Sequence, residues 1–164
     1  MPSKQVIDCS KLLAAQKFKI AFAESATAGR MCAEFAMTPN SGDILLGGLT
    51  CYDMCVKEGI LKIRRALFEK FTPESSEITA LMAKSVKKLL DADIVVAVTG
   101  LTAPGGSETE EKPVGTMFLH IITPFGEVPH SEWFDGEAEA VVLRTIDKAA
   151  ELITTNIKTH QKKK

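Results

Sequence analysis

Apolar positions along the chain follow two alternating rhythms. In residues 5–16, VIDCSKLLAAQK, helical spacing puts Val6, Cys9, Leu12 and Leu13 on one face. FKIAFA, residues 18–23, is a continuous apolar run bounded by charge, the pattern of a buried strand. Helical character returns from Ala26 to Met37, and Thr38-Pro39-Asn40-Ser41-Gly42 is turn chemistry that stops it. Ile44 to Tyr52 predicts a second strand, although Gly47-Gly48 weakens it. One or two short helices follow over 55–71, with Leu61, Ile63, Leu67 and Phe68 as core positions. Thr72 to Ser76 is a loop and helix start. The helix beyond it buries Ile78, Leu81, Met82, Val86, Leu89 and Leu90, a 3.6-residue period.

DIVVAVTG, residues 93–100, is the clearest strand, apolar enough for burial on both faces. A Gly/Pro-rich loop spans 101–113. Val114 to Thr123 predicts a strand that pairs with Val128 to Phe134 through Pro124-Phe125-Gly126. A last helix, from about Glu137 to Ile157, carries Val142, Ile146, Ala149, Ala150, Ile153 and Ile157 on one face. Early alternation of helix and strand and a late hairpin predict an α/β fold: one layered α/β/α domain with a mixed, mostly parallel sheet. The expected domain covers 1–160, and 161–164 is a basic tail.

Composition narrows the function classes. The 164 residues, 45% hydrophobic and 25% charged, suit one domain with a sizeable core. A formal net charge of -1 supplies no global field for nucleic acid or an anionic membrane. The one basic run, His160 to Lys164, reads as a solvated terminus. No stretch is apolar enough to span a membrane, and Met1 to Gln5 lacks a signal-peptide layout, so a cytoplasmic location is expected. Cys9, Cys32, Cys51 and Cys55 lack the second close pair of a zinc site and read as free thiols, mostly buried.

Candidate chemistry follows the strands, because ligands of open α/β sheets gather at strand C-terminal ends. Three polar segments sit there: Glu24 to Gly29, Cys51 to Lys57, and Thr99 to Gly106. Ser25 is a nucleophile at a helix N-terminus or, with Thr27, an ordinary helix cap; pattern alone favours the cap. Lys57 is a base with a lowered pKa or a solvated helix lysine. His120, His130 and His160 all come late and none falls in these segments, so the pattern points away from a Ser-His-Asp triad and leaves Ser-Lys as the open option. Gly100, Gly105 and Gly106 allow close backbone approach, but neither P-loop nor dinucleotide-fingerprint spacing is present.

In this order the segments resemble the CinA C-terminal domain family, whose enzymatic members are nicotinamide-nucleotide amidases. The family's A-E-S-x-T-G-G is matched by Ala23-Glu24-Ser25-Ala26-Thr27-Ala28-Gly29 except at Ala28. T-Y-S-N-x-x-K aligns with Cys51-Tyr52-Asp53-Met54-Cys55-Val56-Lys57. A-V-T-G-x-x-G-P-G-G and K-P-V-G-T align with Ala97 to Gly106 and with Lys112 to Thr116. The resemblance implies hydrolysis of the carboxamide of nicotinamide mononucleotide to nicotinate mononucleotide and ammonia, in NAD recycling. It implies Ser25 as nucleophile, Lys57 as its base, Tyr52 as a supporting hydroxyl, and amides at the helix start near Ser25 as oxyanion donors.

The same resemblance implies a substrate shell of Glu24, Thr27, Gly29, Ser41, Thr99, Gly100, Gly105, Gly106 and Arg144. It implies no metal or organic cofactor, a small-molecule substrate as partner, a homo-oligomer, and the stand-alone form of the domain. Several positions depart from the family pattern: Ala28 and Ala103 replace glycines, Asp53 and Met54 replace Ser and Asn, and Pro39-Asn40-Ser41-Gly42 replaces P-G-S-S. Gly136-Glu137-Ala138 stands where the family tends to carry G-D-R. These departures leave a second reading open, a non-catalytic nucleotide-binding or interaction protein.

Overall fold

The structure, a computed structural model, describes residues 1–162. Its elements are α1 (Lys4–Gln16), β1 (Ile20–Glu24), α2 (Arg30–Ala36), α3 (Ser41–Ile44), β2 (Leu45–Thr50), α4 (Met54–Gly59), α5 (Arg65–Phe71), α6 (Ser76–Leu89), β3 (Ile94–Gly100), β4 (Thr116–Thr123), β5 (Gly126–Trp133) and α7 (Ala138–Gln161). Five strands form one sheet in the order β2-β1-β3-β4-β5. The β1–β2 and β1–β3 pairs are parallel, and β3–β4 and β4–β5 are antiparallel. The expected hairpin closes at Thr123 and Gly126. None of the described helices is long and apolar enough to cross a membrane.

The apolar runs in β1 and β3 are continuous because helices cover both faces. Ile20 and Phe22 join Ile94, Val96 and Val98 in a core with Leu13 of α1, Phe35 of α2 and Ile146 and Ile153 of α7. The alternate residues Ala21, Ala23, Val95 and Ala97 pack with Leu61, Ile63, Phe68, Ile78, Met82 and Val86 on the other face. Alternation along a strand sends successive side chains to opposite faces, so one sheet serves two cores. Small alanines on the second face let α6 lie close over β1 and β3.

Chain order makes β1 the switch point. The chain leaves β1 for β2 on one side, then returns past β1 to β3 on the other. Such a reversal opens a crevice at the strand C-termini. Here β1 and β3 run level, from Ile20 beside Ile94 to Glu24 beside Val98. The next amide, Ser25 N–H, continues the ladder by donating to the Val98 carbonyl at 3.0 Å, and Cys51 N–H donates to the Glu24 carbonyl at 2.6 Å. All three polar segments therefore start from adjacent strand ends.

Several expectations are corrected. Residues 38–42 do not form a turn alone, since Ser41 already opens α3. Helix α2 starts at Arg30 rather than Ala26. On α6, Leu89, the last residue of the helix, is exposed rather than buried. On α7, Val141 is buried and Val142 only partly so, a one-residue rotation of the expected stripe. The helix also continues through His160, whose ring stacks on Phe125 at 4.8 Å, so this part of the basic run is packed rather than frayed. Of the expected tail, Lys163 and Lys164 lie outside the described residues.

Candidate active site

The segment after β1 is organised by Glu24. Its carboxylate is buried at the strand end and turned toward α2. One oxygen accepts from Thr27 Oγ1 at 2.6 Å and from the amides of Gly29 and Met31 at 3.0 Å each. The other accepts from Cys32 N–H at 2.7 Å. Glu24 thus does the work of a helix cap from six residues upstream of Arg30, satisfying amides that would otherwise be orphaned. The expected roles of Glu24 and Thr27 in the substrate shell, and of Ser25 or Thr27 as the cap, are corrected by this arrangement. Of the helix-start amides expected to hold an oxyanion, those of Gly29, Met31 and Cys32 are already occupied by Glu24, whereas that of Ala26 has no partner among the described residues.

Freed from capping, Ser25 sits at the mouth of a cleft. Its backbone is fixed on both sides, with its amide on Val98 and its carbonyl accepting from Ala28 N–H at 3.1 Å. Its hydroxyl has no hydrogen-bond partner among the described residues, and the residue is 7% exposed. Residues 25–29 form a tight turn in which Ala28 adopts φ 48° and Gly29 φ 92°. A Cβ on Gly29 would lie 3.1 Å from Thr50 Oγ1, so glycine serves the turn and its packing on β2 rather than the cleft. The exposed Ala28 carries a left-handed conformation that glycine adopts at less cost.

Lys57 is the unusual group. It lies on α4 at 2% exposure, among the largest fully buried side chains. Its amine donates to the Tyr52 carbonyl at 3.5 Å and makes no salt bridge among the described residues. Burial pushes its pKa below the ordinary lysine value, and Glu74, Cys51 and Asp53 pull it partly back. The solvated-lysine alternative is thereby removed. Ser25 and Lys57 do not hydrogen-bond to one another among the described residues. Asp53, a departure from the family pattern, caps α4 by accepting from Cys55 N–H at 2.7 Å, a role serine or aspartate can fill. Tyr52 is 67% exposed and projects to the cleft.

The glycine loop forms the opposite wall. The cleft, about 200 Å³, is lined by Ser25, Ala26, Tyr52, Glu74 and residues 100–106. Gly100 is required by close approach, because a Cβ there would lie 2.7 Å from the backbone carbonyl oxygen of Thr116. The loop is tied to the segment before α6. Lys112 Nζ donates to Thr72 Oγ1 at 3.0 Å, the Glu74 carbonyl at 2.9 Å and Ser107 Oγ at 2.7 Å. Ser107 Oγ donates in turn to Glu74 Oε2 at 2.5 Å.

The cleft brings together Ser25, Tyr52, Gly100, Gly105 and Gly106 of the expected set; Lys57 is buried and is not among the residues that line it. Three others are elsewhere. Ser41 opens α3 ahead of β2, at the N-terminal end of the parallel strands and so at the opposite edge of the sheet. Thr99 is wholly buried, its hydroxyl 2.8 Å from that of Thr79 on α6. Arg144 is exposed on α7 and donates to the Asp135 carbonyl at 2.8 Å. Spacing does not mark Glu74 or Ser107, and it shows Lys112 only as the start of the K-P-V-G-T block, because the chain segments they clamp are more than thirty residues apart and only folding joins them. A larger hollow of about 420 Å³ between residues 60–67 and α6 holds none of the motif residues. Among the described residues no His, Cys, Asp and Glu side chains gather into a metal-binding group.

The family model described as CinA C-terminal domain matches residues 3–157. A CinA-like protein of Thermotoga neapolitana is 31% identical over 151 residues, 90% of this chain and 36% of the relative. A CinA-like protein of Desulfotalea psychrophila is 35% identical over 122 residues, 74% of this chain and 29% of the relative. The chain thus spans about a third of the length of these curated relatives. The crystal structure of a competence-damaged protein (CinA) superfamily protein from Klebsiella pneumoniae superposes with a TM-score of 0.88 at 21% identity, covering 95% of this chain and 97% of that one. The chain belongs to the CinA C-terminal domain family.

Proposed function

We propose that this CinA-family domain is an amidase acting on a carboxamide of the nicotinamide type, with Ser25 as nucleophile and Lys57 as general base. The observation that carries the reading is Lys57: a buried amine held below its ordinary pKa, its one long hydrogen bond made to the carbonyl of Tyr52, which lines the same cleft as Ser25. A neutral amine can accept a proton where a solvated ammonium does not. In the first step Ser25 Oγ attacks the amide carbon while Lys57 takes the hydroxyl proton. The tetrahedral intermediate collapses with loss of ammonia, which receives that proton from Lys57. Water, deprotonated by the same amine, then attacks the acyl carbon; the bond to Ser25 Oγ breaks, and Lys57 returns the proton to that oxygen as the acid is released. We assign the oxyanion donor to the Ala26 amide, which has no hydrogen bond to a described residue and belongs to a cleft-lining residue. Tyr52 reaches the cleft from the far side as a polar contact for substrate. The family resemblance makes nicotinamide mononucleotide the reference substrate, and no cofactor enters these steps.

The test is ammonia release from a panel of nicotinamide-type amides. The native protein is expected to turn over at least one, and Ser25→Ala to lose activity by at least about 10³-fold with its circular dichroism and melting temperature retained. Unchanged turnover in that variant removes Ser25 from the mechanism. A second reading, a nucleotide-binding protein without turnover, is favoured by the Ser25 hydroxyl and Lys57 amine not being hydrogen-bonded to each other. Ligand-induced thermal stabilisation without ammonia release would establish it. Self-association belongs to the same proposal, and sedimentation equilibrium showing only monomer would remove it.

A further inference from the structure

The hollow of about 420 Å³ beside α6 lies away from the cleft and shares no lining residue with it. It sits between the segment that follows α4 and the C-terminal half of α6. The other end of α6 is on the cleft side, where Thr79 meets Thr99 at the end of β3. Leu89 closes the helix ten residues later, roughly 15 Å along its axis.

The lining is apolar. Leu61 and Ile63 are buried and form the floor, and Leu67 and Leu81 are partly buried above it. Ile60 and Leu89 stand at the rim, each about half exposed. A single exposed aliphatic side chain is ordinary, but here two of them converge on one concavity. Its walls are tied down by the fold. Ser85 Oγ donates to the Leu61 carbonyl at 2.9 Å, which joins the segment to α6. Ile63 N–H donates to the Lys57 carbonyl at 3.2 Å, which joins it to α4. Between the two buried residues, Lys62 takes φ 58°, a left-handed conformation that a side chain adopts only at a cost.

The charge around the hollow has one sign. Lys62, Arg64 and Lys88 line it, and among the described residues no Asp or Glu does. All three are exposed, and none takes part in a salt bridge among the described residues. Their neighbours on α6 are engaged: Lys84 reaches Glu127 at 3.4 Å, and Lys87 donates to the Ala92 carbonyl. Unpaired cations over an apolar hollow complement a ligand with an apolar body and an anionic end.

We infer that this hollow binds a small amphiphilic carboxylate, its aliphatic body between residues 60–67 and α6 and its carboxylate among Lys62, Arg64 and Lys88. The volume of about 420 Å³ falls within the roughly 300–1,000 Å³ of small-molecule sites. Arg64 can meet a carboxylate through two parallel N–H···O bonds, and the two lysines add compact point charges. The inference does not depend on the amidase reading.

Octanoate, octan-1-ol and acetate separate the two halves of this recognition. Calorimetry on the native protein is expected to show one octanoate site of millimolar affinity or tighter. Octan-1-ol keeps the body without the charge and should bind at least about tenfold more weakly. Acetate keeps the charge without the body and should not bind at millimolar concentration. The triple variant Lys62→Gln, Arg64→Gln, Lys88→Gln alters only exposed side chains, so it should keep the native melting temperature while its octanoate affinity falls to that of octan-1-ol. Leu89→Glu sets a like charge at the rim and should weaken octanoate by at least about tenfold. Amide chemical shifts should move within 60–67 and 81–89 and stay fixed at Ser25 and 100–106. Absence of octanoate binding, equal binding of octan-1-ol, unchanged affinity in both variants, or a shift map centred on the cleft each overturns the inference. Amide exchange in 60–67 that slows as the concentration of free protein rises assigns this face to a second copy and overturns it likewise. None of these measurements reads ammonia release, so their failure leaves the amidase reading standing.

Discussion

A lysine placed where water does not reach is the residue-scale fact on which the chemistry turns. Lys57 has no carboxylate within salt-bridge distance among the described residues, so burial outweighs the distant acids and its pKa falls. The folded protein then binds fewer protons than the unfolded chain between the depressed value and the ordinary 10.5. Stability from this group is therefore fully present above the unfolded value and is lost as pH falls through the folded value. Lys57→Met, similar in length and apolar, is expected to melt at or above the native temperature at neutral pH. It should also lose the alkaline rise in melting temperature. Its ammonia release should fall by at least about 10²-fold. In the native enzyme kcat/KM should rise with pH along a limb whose midpoint lies below 10.5. A Met variant that melts well below the native protein would mean that Lys57 is held by a favourable interaction instead.

Among the elements, α2 shows how a motif read as chemistry can be structural. The Glu24 carboxylate accepts the amides of Gly29, Met31 and Cys32 and the Thr27 hydroxyl, so the helix start is tied to β1. This fixes the turn that presents Ser25. Glu24→Ala leaves those buried donors without a partner and is expected to cost about 2–5 kcal/mol, read as a lower denaturant midpoint. Glu24→Gln keeps one acceptor oxygen and should lose less. If the alanine variant were as stable as the native protein and only its activity fell, Glu24 would belong to the substrate shell after all. The same logic explains Asp53: the cap of α4 needs a short acceptor, and aspartate supplies it.

For the molecule as a whole, the layering sets which parts are rigid. Strands β1 and β3 are paired on both sides and buried on both faces, while the glycine loop is held to the segment before α6 by polar contacts. Amide hydrogen exchange should therefore be slowest in β1 and β3 and fastest within 102–111, outside the clamped positions. Comparable protection across the loop and the central strands would show the cleft wall to be part of the rigid core. A rigid floor carrying Ser25 and a looser wall facing it suit a cleft that admits ligand by small loop adjustments.

Much of this was legible from one dimension. Periodicity placed every strand, because a strand covered on both faces must be apolar throughout, as in FKIAFA and DIVVAVTG. Motif order carried the family and brought Ser25, Tyr52 and the glycine loop to one cleft. Local pattern failed where a side chain acts across distance. Glu24 satisfies a helix six residues away, Ser41 belongs to the far edge of the sheet, and Glu74, Ser107 and Lys112 meet across more than thirty residues. Burial failed likewise, since nothing in the string distinguishes Lys57 from a solvated lysine until α4 and the layers around it close over its amine. Hydrophobic spacing sets the elements because it is local. The state of a charge depends on what surrounds it in space, and that is fixed when the layers pack.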